Sequence, residues 1–270
     1  MRHKEITEGS KQKMKVMTFN LRADNVLDIR NRWRQRANLV YDVINQYDCD
    51  IIGLQEVTRQ MDSELEEHTK AYYKTGEGRT RRLFMEKNPL LIKEKFHVVE
   101  DNTFWLSKTP NKKNSTIWYS LFPRICTGVI CEIEEGKRVR IYNTHLDCLL
   151  PHAREFGLSV ILDHMRYEQE REPLPCILMG DFNAKPNSKL IQKFRNGQYT
   201  ERRFIAVQEI NPELYNKTTM GSFKGREEGR HIDYIFVTEE FKVENMEIVK
   251  YNKEGKYPSD HYPIVAELKL

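Results

Sequence analysis

Six short clusters of acidic, amide and imidazole residues punctuate this chain: Asn20, Gln55-Glu56, Asn143 to Asp147, Gly180-Asp181-Phe182-Asn183, His231-Ile232-Asp233 and Ser259-Asp260-His261. Four of them close an apolar run. Residues 16–19 run into Asn20, 51–54 into Gln55-Glu56, 141–142 into Asn143-Thr144-His145, and 177–179 into Gly180-Asp181. The other two open a run. A carboxylate at the end of a core strand is costly unless it is paired or binds a cation. Taken singly, a strand that ends in Asp or Asn is a turn signal, and an isolated His is an ordinary surface or core residue. Six clusters of matched chemistry in one chain imply something more: strand ends gathered at one rim, lining a pocket with carboxylates and imidazoles. Such oxygen-rich sites suit Mg²⁺ or Mn²⁺ rather than zinc.

The elements that must position these groups are legible from periodicity. Residues 15–20, 50–54, 89–93, 96–104, 125–133, 138–144, 176–179, 232–237 and 264–268 read as strands, with Gly136 turning the fifth into the sixth as a hairpin. Trp33, Ala37, Val40, Tyr41 and Ile44 fall on one face of a helix that Asn31 is placed to cap. Residues 58–69 form an acidic helical pattern, 153–168 a long helix with Phe156, Val160, Ile161 and His164 on one side, and 188–194 a short one. Strands outnumber helices, and hairpins sit beside longer crossovers, which argues for sheets packed face to face with helices outside.

The 270 residues show no Pro/Gly/Ser-rich linker and no repeat, so one domain is expected over 13–270, after a loose, polar N-terminal tail at 1–12. The net charge of +4 is a modest basic excess, which fits a phosphate-bearing substrate without demanding nucleic acid. Five cysteines, odd in number and without a CxxC pair, argue against disulfides and zinc. With no apolar leader and no membrane-spanning run, a cytoplasmic monomer is expected.

The segments TFNLR (18–22), LQEV (54–57), NTHLD (143–147), GDFNA (180–184), HIDYIF (231–236) and SDHYP (259–263) resemble, in this order, the endonuclease/exonuclease/phosphatase superfamily with its DNase I-like fold. TFWLS (103–107), PRICT (123–127) and the glycine and Glu-Pro spacing around 76–89 are similar to its bacterial metal-dependent hydrolases. Ile92 stands where those chains often carry an aromatic, a departure expected to be structural. The resemblance implies an α/β fold, a four-layer α/β sandwich with two central mixed β-sheets, and a divalent-metal phosphoesterase. It implies Glu56 as metal ligand with Asn20 close by and Asp260 completing the shell, Mg²⁺ being the expected ion and Mn²⁺ an alternative. Asp181 is the expected base or water-orienting group, and Asn183 an amide donor to phosphate. His261 is the expected phosphate contact, held by Asp233. His145 is a second imidazole and candidate proton donor, with Glu86 as its carboxylate partner. Arg124 is a candidate phosphate contact, and Asp147 either joins the site or caps the helix near Pro151.

The substrate is left to the loops, 75–87, 106–124, 146–154 and 211–230. They carry Arg79, Arg81, Arg82, Lys108, Lys112, Lys113, Arg154, Lys224, Arg226 and Arg230, with Trp105 and Trp118 placed either to stack a base or sugar or to pack a loop on the core. A nuclease acting on DNA or RNA ends and a small-molecule phosphatase or phosphodiesterase both fit. A lipid phosphodiesterase would want an exposed apolar hairpin, and a non-catalytic binding module would have lost the catalytic residues that this chain retains.

Overall fold

The computed structural model describes residues 13–80, 85–200 and 202–270. The expected tail at 1–12 and the loop residues Arg81 and Arg82 lie outside them. In chain order the strands are β1 (Lys13–Asn20), β2 (Ile51–Gln55), β3 (Val57–Thr58), β4 (Tyr72–Thr75), β5 (Glu86–Lys87), β6 (Leu90–Lys93), β7 (His97–Trp105), β8 (Ile125–Glu134), β9 (Lys137–His145), β10 (Cys176–Asp181), β11 (Phe204–Ala206), β12 (Asp233–Thr238), β13 (Lys242–Ile248) and β14 (Ile264–Lys269). The helices are α1 (Trp33–Tyr47), α2 (Arg59–His68), α3 (Pro151–Arg171) and α4 (Lys189–Arg195).

Two six-stranded sheets have the orders β13-β14-β1-β2-β6-β4 and β11-β12-β10-β9-β8-β7. Each is mixed in the same way. β1 and β2 run parallel in the first sheet, β9 and β10 in the second, and the remaining neighbours are antiparallel. In both cases a helix makes the crossover, α1 between β1 and β2 and α3 between β9 and β10. The C-terminal ends of all four parallel strands therefore fall at one rim.

Alternation along the strands sorts side chains into three cores. Val16, Ile51, Ile92, Ile141, Ile177 and Ile264 fill the space between the sheets, so Ile92 packs in the central core. Met17, Phe19, Ile52 and Leu54 face Trp33, Val40 and Ile44 of α1 and Met61 and Leu65 of α2. Tyr142, Leu178 and Phe236 face Leu158, Ile161 and Met165 of α3 and Phe194 of α4. The result is the four-layer α/β sandwich, in which central strands are buried on both faces and read as continuous apolar runs.

Two local expectations change. Asn31 does not cap α1. Asp24 does so from outside the turn, its Oδ1 accepting the Trp33 N–H at 2.9 Å while its carboxylate binds Arg32. The edge strands β4, β11 and β13 carry no strand signal in the sequence, because each is short or polar on both sides.

Candidate active site

The site grows out of strand register. In the first sheet Asn20 lies opposite Gln55, which brings Glu56 beside it. In the second, Asp181 lies opposite His145 on one side and Asp233 on the other, so three site residues form one row. Gly180 makes that row possible. Its φ is 143°, and a Cβ there would overlap the carbonyl oxygen of Thr144 on β9. Glu56 and Asn183 have φ of 60° and 50°, left-handed conformations that a non-glycine residue adopts at a cost of about 1 kcal/mol or more.

The two sheets are joined beneath the rim by a buried amide pair. Gln55 Nε2 donates to Asn143 Oδ1 at 2.7 Å and to Thr18 Oγ1 at 3.0 Å, and Asn143 Nδ2 donates to the carbonyls of Leu54 and Pro89 at 2.8 and 2.9 Å. At the rim itself Asn20 makes the join. Its Nδ2 donates to Glu56 Oε1 at 3.1 Å and to Asp181 Oδ2 at 3.0 Å. Glu56 Oε2 accepts the Ala23 N–H at 2.8 Å.

Asp181 sits between two imidazoles, its Oδ2 3.6 Å from His145 Nε2 and 3.9 Å from His261 Nε2. Their surroundings differ. His261 Nδ1 lies 3.0 Å from Asp233 Oδ2. Burial opposes its charge, yet Asp233, Asp260 and Asp181 lift it well above the ordinary histidine range. His145 is pushed well below that range by burial and by the nearby charges of Arg124 and Arg79. Asn183 Nδ2 donates to His145 Nε2 at 3.0 Å, which puts the proton on Nδ1, a buried atom without a partner. Burial and Asp233, opposed by His261, raise the Asp181 carboxyl to about 7. Burial opposes ionisation of Glu56, but the charged His261 imidazole and the N–H groups of Ala23 and Asn20 hold its carboxyl below the ordinary range. Glu56 is thus a firmly ionised carboxylate, with Asp260 and Glu86 close enough for its charge to raise both of their carboxyls alongside burial. Asp181, Asp233 and His261 also bring ligand-type atoms within 4.8 Å of one another. A set of hard carboxylate oxygens clustered in this way fits Mg²⁺ or Mn²⁺.

The model of the family described as "Endonuclease/Exonuclease/phosphatase family" matches residues 17–261. The chain belongs to this family. Among solved structures, an endonuclease/exonuclease/phosphatase from Bacteroides vulgatus is 28% identical, with a TM-score of 0.85 over 96% of this chain and 100% of that one. A mannosyl-6-phosphatase from Bacteroides thetaiotaomicron is 26% identical, with a TM-score of 0.83 over 94% of this chain and 99% of that one. Nocturnin from Xenopus laevis is 22% identical over 88% of this chain, and the aligned region spans 65% of that protein's length.

Within this endonuclease/exonuclease/phosphatase site, Asn20, Glu56, His145, Asp181, Asn183, Asp233, Asp260 and His261 come together, and four expectations change. Asn20 turns its nitrogen, not its oxygen, toward the acids, because its Oδ1 accepts the Arg22 N–H at 2.9 Å. It therefore bridges Glu56 and Asp181. Asn183 has both amide hydrogens engaged, by His145 and by the Leu146 carbonyl at 3.2 Å, so it orients the imidazole. Glu86 is not the partner of His145. The β3–β5 ladder sets it near Glu56, and its Oε1 binds Arg79 Nη2 at 2.7 Å. Burial and the two arginines leave His145 uncharged, so the protonated imidazole is His261.

Asp147 does not cap α3, whose N-cap Leu150 has no side-chain partner; its Oδ1 accepts from Leu149 and Leu150 N–H at 2.9 and 2.8 Å and so closes the turn that leads into the helix. Trp105 is buried, with Nε1 bonded to the Arg79 carbonyl at 2.9 Å, so it packs its loop on the core, whereas Trp118 is 93% exposed. Sequence reasoning missed Thr219, whose hydroxyl donates to Asp233 Oδ2 at 2.6 Å. It also missed Arg36, buried on α1, which donates to the carbonyls of Leu21, Arg22 and Pro258 and so ties the end of β1 to the segment carrying Asp260 and His261.

Proposed function

We propose that this protein is a Mg²⁺-dependent hydrolase of phosphate esters, in which Asp181 activates the attacking water. The observation that carries the reading is the position of Asp181 between an uncharged and a charged imidazole, 3.6 and 3.9 Å away, with a carboxyl raised to about 7. A base of that affinity takes a proton from water near neutral pH. Asn20 fixes its orientation through Oδ2, and the Asn183 backbone N–H, at 2.8 Å, through Oδ1. His261, kept protonated by Asp233, presents its Nε2–H to a phosphate oxygen or to the leaving oxygen. Bound Mg²⁺ or Mn²⁺, held by Glu56 with Asp260 beside it, would supply neutralisation of charge on the phosphate oxygens.

The test is hydrolysis of bis-4-nitrophenyl and 4-nitrophenyl phosphate with Mg²⁺ and with EDTA. Activity is expected only with the metal. Asp181→Asn is expected to lose at least about 10²-fold in kcat with its circular dichroism unchanged. A fully active Asp181→Asn enzyme sinks the assignment.

Trp118 favours a base-bearing substrate within this reading. Its loop is tied to Asp147, two residues after His145, through Ser120 Oγ, which donates to Asp147 Oδ2 at 2.9 Å, and an exposed indole stacks a base at about 1–3 kcal/mol. Trp118→Ala is then expected to raise KM for a nucleotide and not for 4-nitrophenyl phosphate. The free cysteines, of which Cys148 is exposed, fit a reducing, cytoplasmic setting.

A further inference from the structure

Arg124 immediately precedes β8, and its carbonyl accepts the Leu106 N–H at 2.8 Å. Beside it the Thr144 hydroxyl donates to the Ile125 carbonyl at 3.1 Å, which brings Arg124 to the end of β9, next to His145. The residue is only 7% exposed, and its Nε is buried without a hydrogen-bond partner. The carboxylate paired with it, Asp147 Oδ2, stands 3.9 Å from that Nε, beyond hydrogen-bond reach. Asp147 is already committed, with Oδ1 to two backbone N–H groups and Oδ2 to Ser120. The remaining contact is from Nη2 to the Cys148 thiol, a weak acceptor, at 3.3 Å. A guanidinium bonded to a carboxylate sits at about 2.7–2.9 Å from it. The Arg79 guanidinium, bonded to Glu86, meets that distance. Arg124 does not.

We propose that Arg124 forms the subsite for a terminal, unesterified phosphate oxygen, which makes a phosphomonoester dianion the substrate class. The inference rests on the hydrolase reading above and deepens it. Charge supports it. A monoester carries close to two negative charges above its second pKa of about 6, against one for a diester, and Arg124 adds a buried cation close enough to His145 to act on that imidazole.

The experiment compares kcat/KM for 4-nitrophenyl phosphate and bis-4-nitrophenyl phosphate in the wild type, Arg124→Gln and Arg124→Lys, all with Mg²⁺. The affinity of each protein for inorganic phosphate is measured alongside by calorimetry. Losing a charge-assisted hydrogen bond to phosphate is expected to lower the monoester-to-diester ratio about 10- to 100-fold in Arg124→Gln and to weaken phosphate binding over the same range. Arg124→Lys keeps the charge without the fork and is expected to fall between, and it carries the comparison if the Gln variant does not fold. Equal losses on both esters, or unchanged phosphate affinity, overturn the proposal. A wild type inactive on both esters overturns the hydrolase reading instead, and phosphate affinity then decides the role of Arg124 alone.

Discussion

The Asp233–His261 pair is held from behind by a residue with no chemistry of its own. Thr219 donates to Asp233 Oδ2 at 2.6 Å, and its oxygen accepts the N–H groups of Ile232 and Asp233 at 3.0 and 3.2 Å. Thr219→Val keeps the shape and removes all three bonds. With two buried N–H groups orphaned, the expected loss of stability is about 1–3 kcal/mol, read by urea unfolding. With Asp233 less firmly oriented, kcat is expected to fall at least about tenfold, as when an outer support of a metal-site or catalytic imidazole is removed. Thr219→Ser restores the hydroxyl and should recover most of both. If Thr219→Val loses stability but keeps full kcat, Thr219 is a fold residue only. The sequence hides this role. His261 and Asp233 stand in clusters at strand ends, where polar residues are conspicuous against apolar runs. Thr219 lies in the long loop before β12 and reaches Asp233 only because that loop folds back, its backbone carbonyl accepting the Tyr262 N–H at 2.7 Å. Arg36 is hidden for the opposite reason, since an arginine on a helix ordinarily reads as a solvated one.

At the scale of elements, what decides the site is how closely β9 and β10 approach at their ends, and Gly180 sets that distance. Gly180→Ala faces two penalties, a φ of 143° and overlap with the Thr144 carbonyl. The backbone must shift, so a loss of at least about 2 kcal/mol is expected together with most of the activity. Gly136→Ala is the control. Its φ of 73° also favours glycine, but nothing lies within 4 Å of an added Cβ, so about 1 kcal/mol is expected with kcat unchanged. Equal costs at the two positions would mean that close approach plays no part at Gly180. Elements differed in how far they could be read from the sequence for the same physical reason. β1, β2, β9, β10 and β12 are buried on both faces, which leaves apolar runs bounded abruptly by site residues, at the end of the first four and at the start of β12. β13 is exposed along much of its length and spells Lys-Val-Glu-Asn-Met-Glu-Ile, which has no clear period. The cap of α1 is not local, because Asp24 reaches across nine residues to the Trp33 N–H in place of Asn31.

Across the whole molecule, the site makes stability depend on pH in a way that the fold alone would not. Asp181 is raised to about 7 in the folded chain, against about 3.9 for an unfolded aspartate. A raised pKa means that the folded state holds the proton more tightly. Its contribution to stability is therefore fully present below about pH 4 and is lost as pH rises through about 7. Asp181→Asn removes the titration, while groups common to both proteins cancel to first order in the difference. In EDTA, the stability of Asp181→Asn relative to wild type is expected to grow by more than about 1 kcal/mol between pH 4 and pH 8, with most of the change before pH 7. The amide also disturbs the bonds to Asn20 and the Asn183 N–H, but that offset is independent of pH and leaves the slope intact. Adding Mg²⁺ at about 100 times its Kd should stabilise the wild type by about 2.7 kcal/mol and do far less for Glu56→Gln. The slope in EDTA is the decisive quantity. If the difference stays flat from pH 4 to 8, Asp181 is ionised throughout that range and is not held poised to accept a proton near neutrality. If it climbs as predicted, the burial that makes Asp181 expensive to the fold is the same burial that gives it a base's affinity at neutral pH.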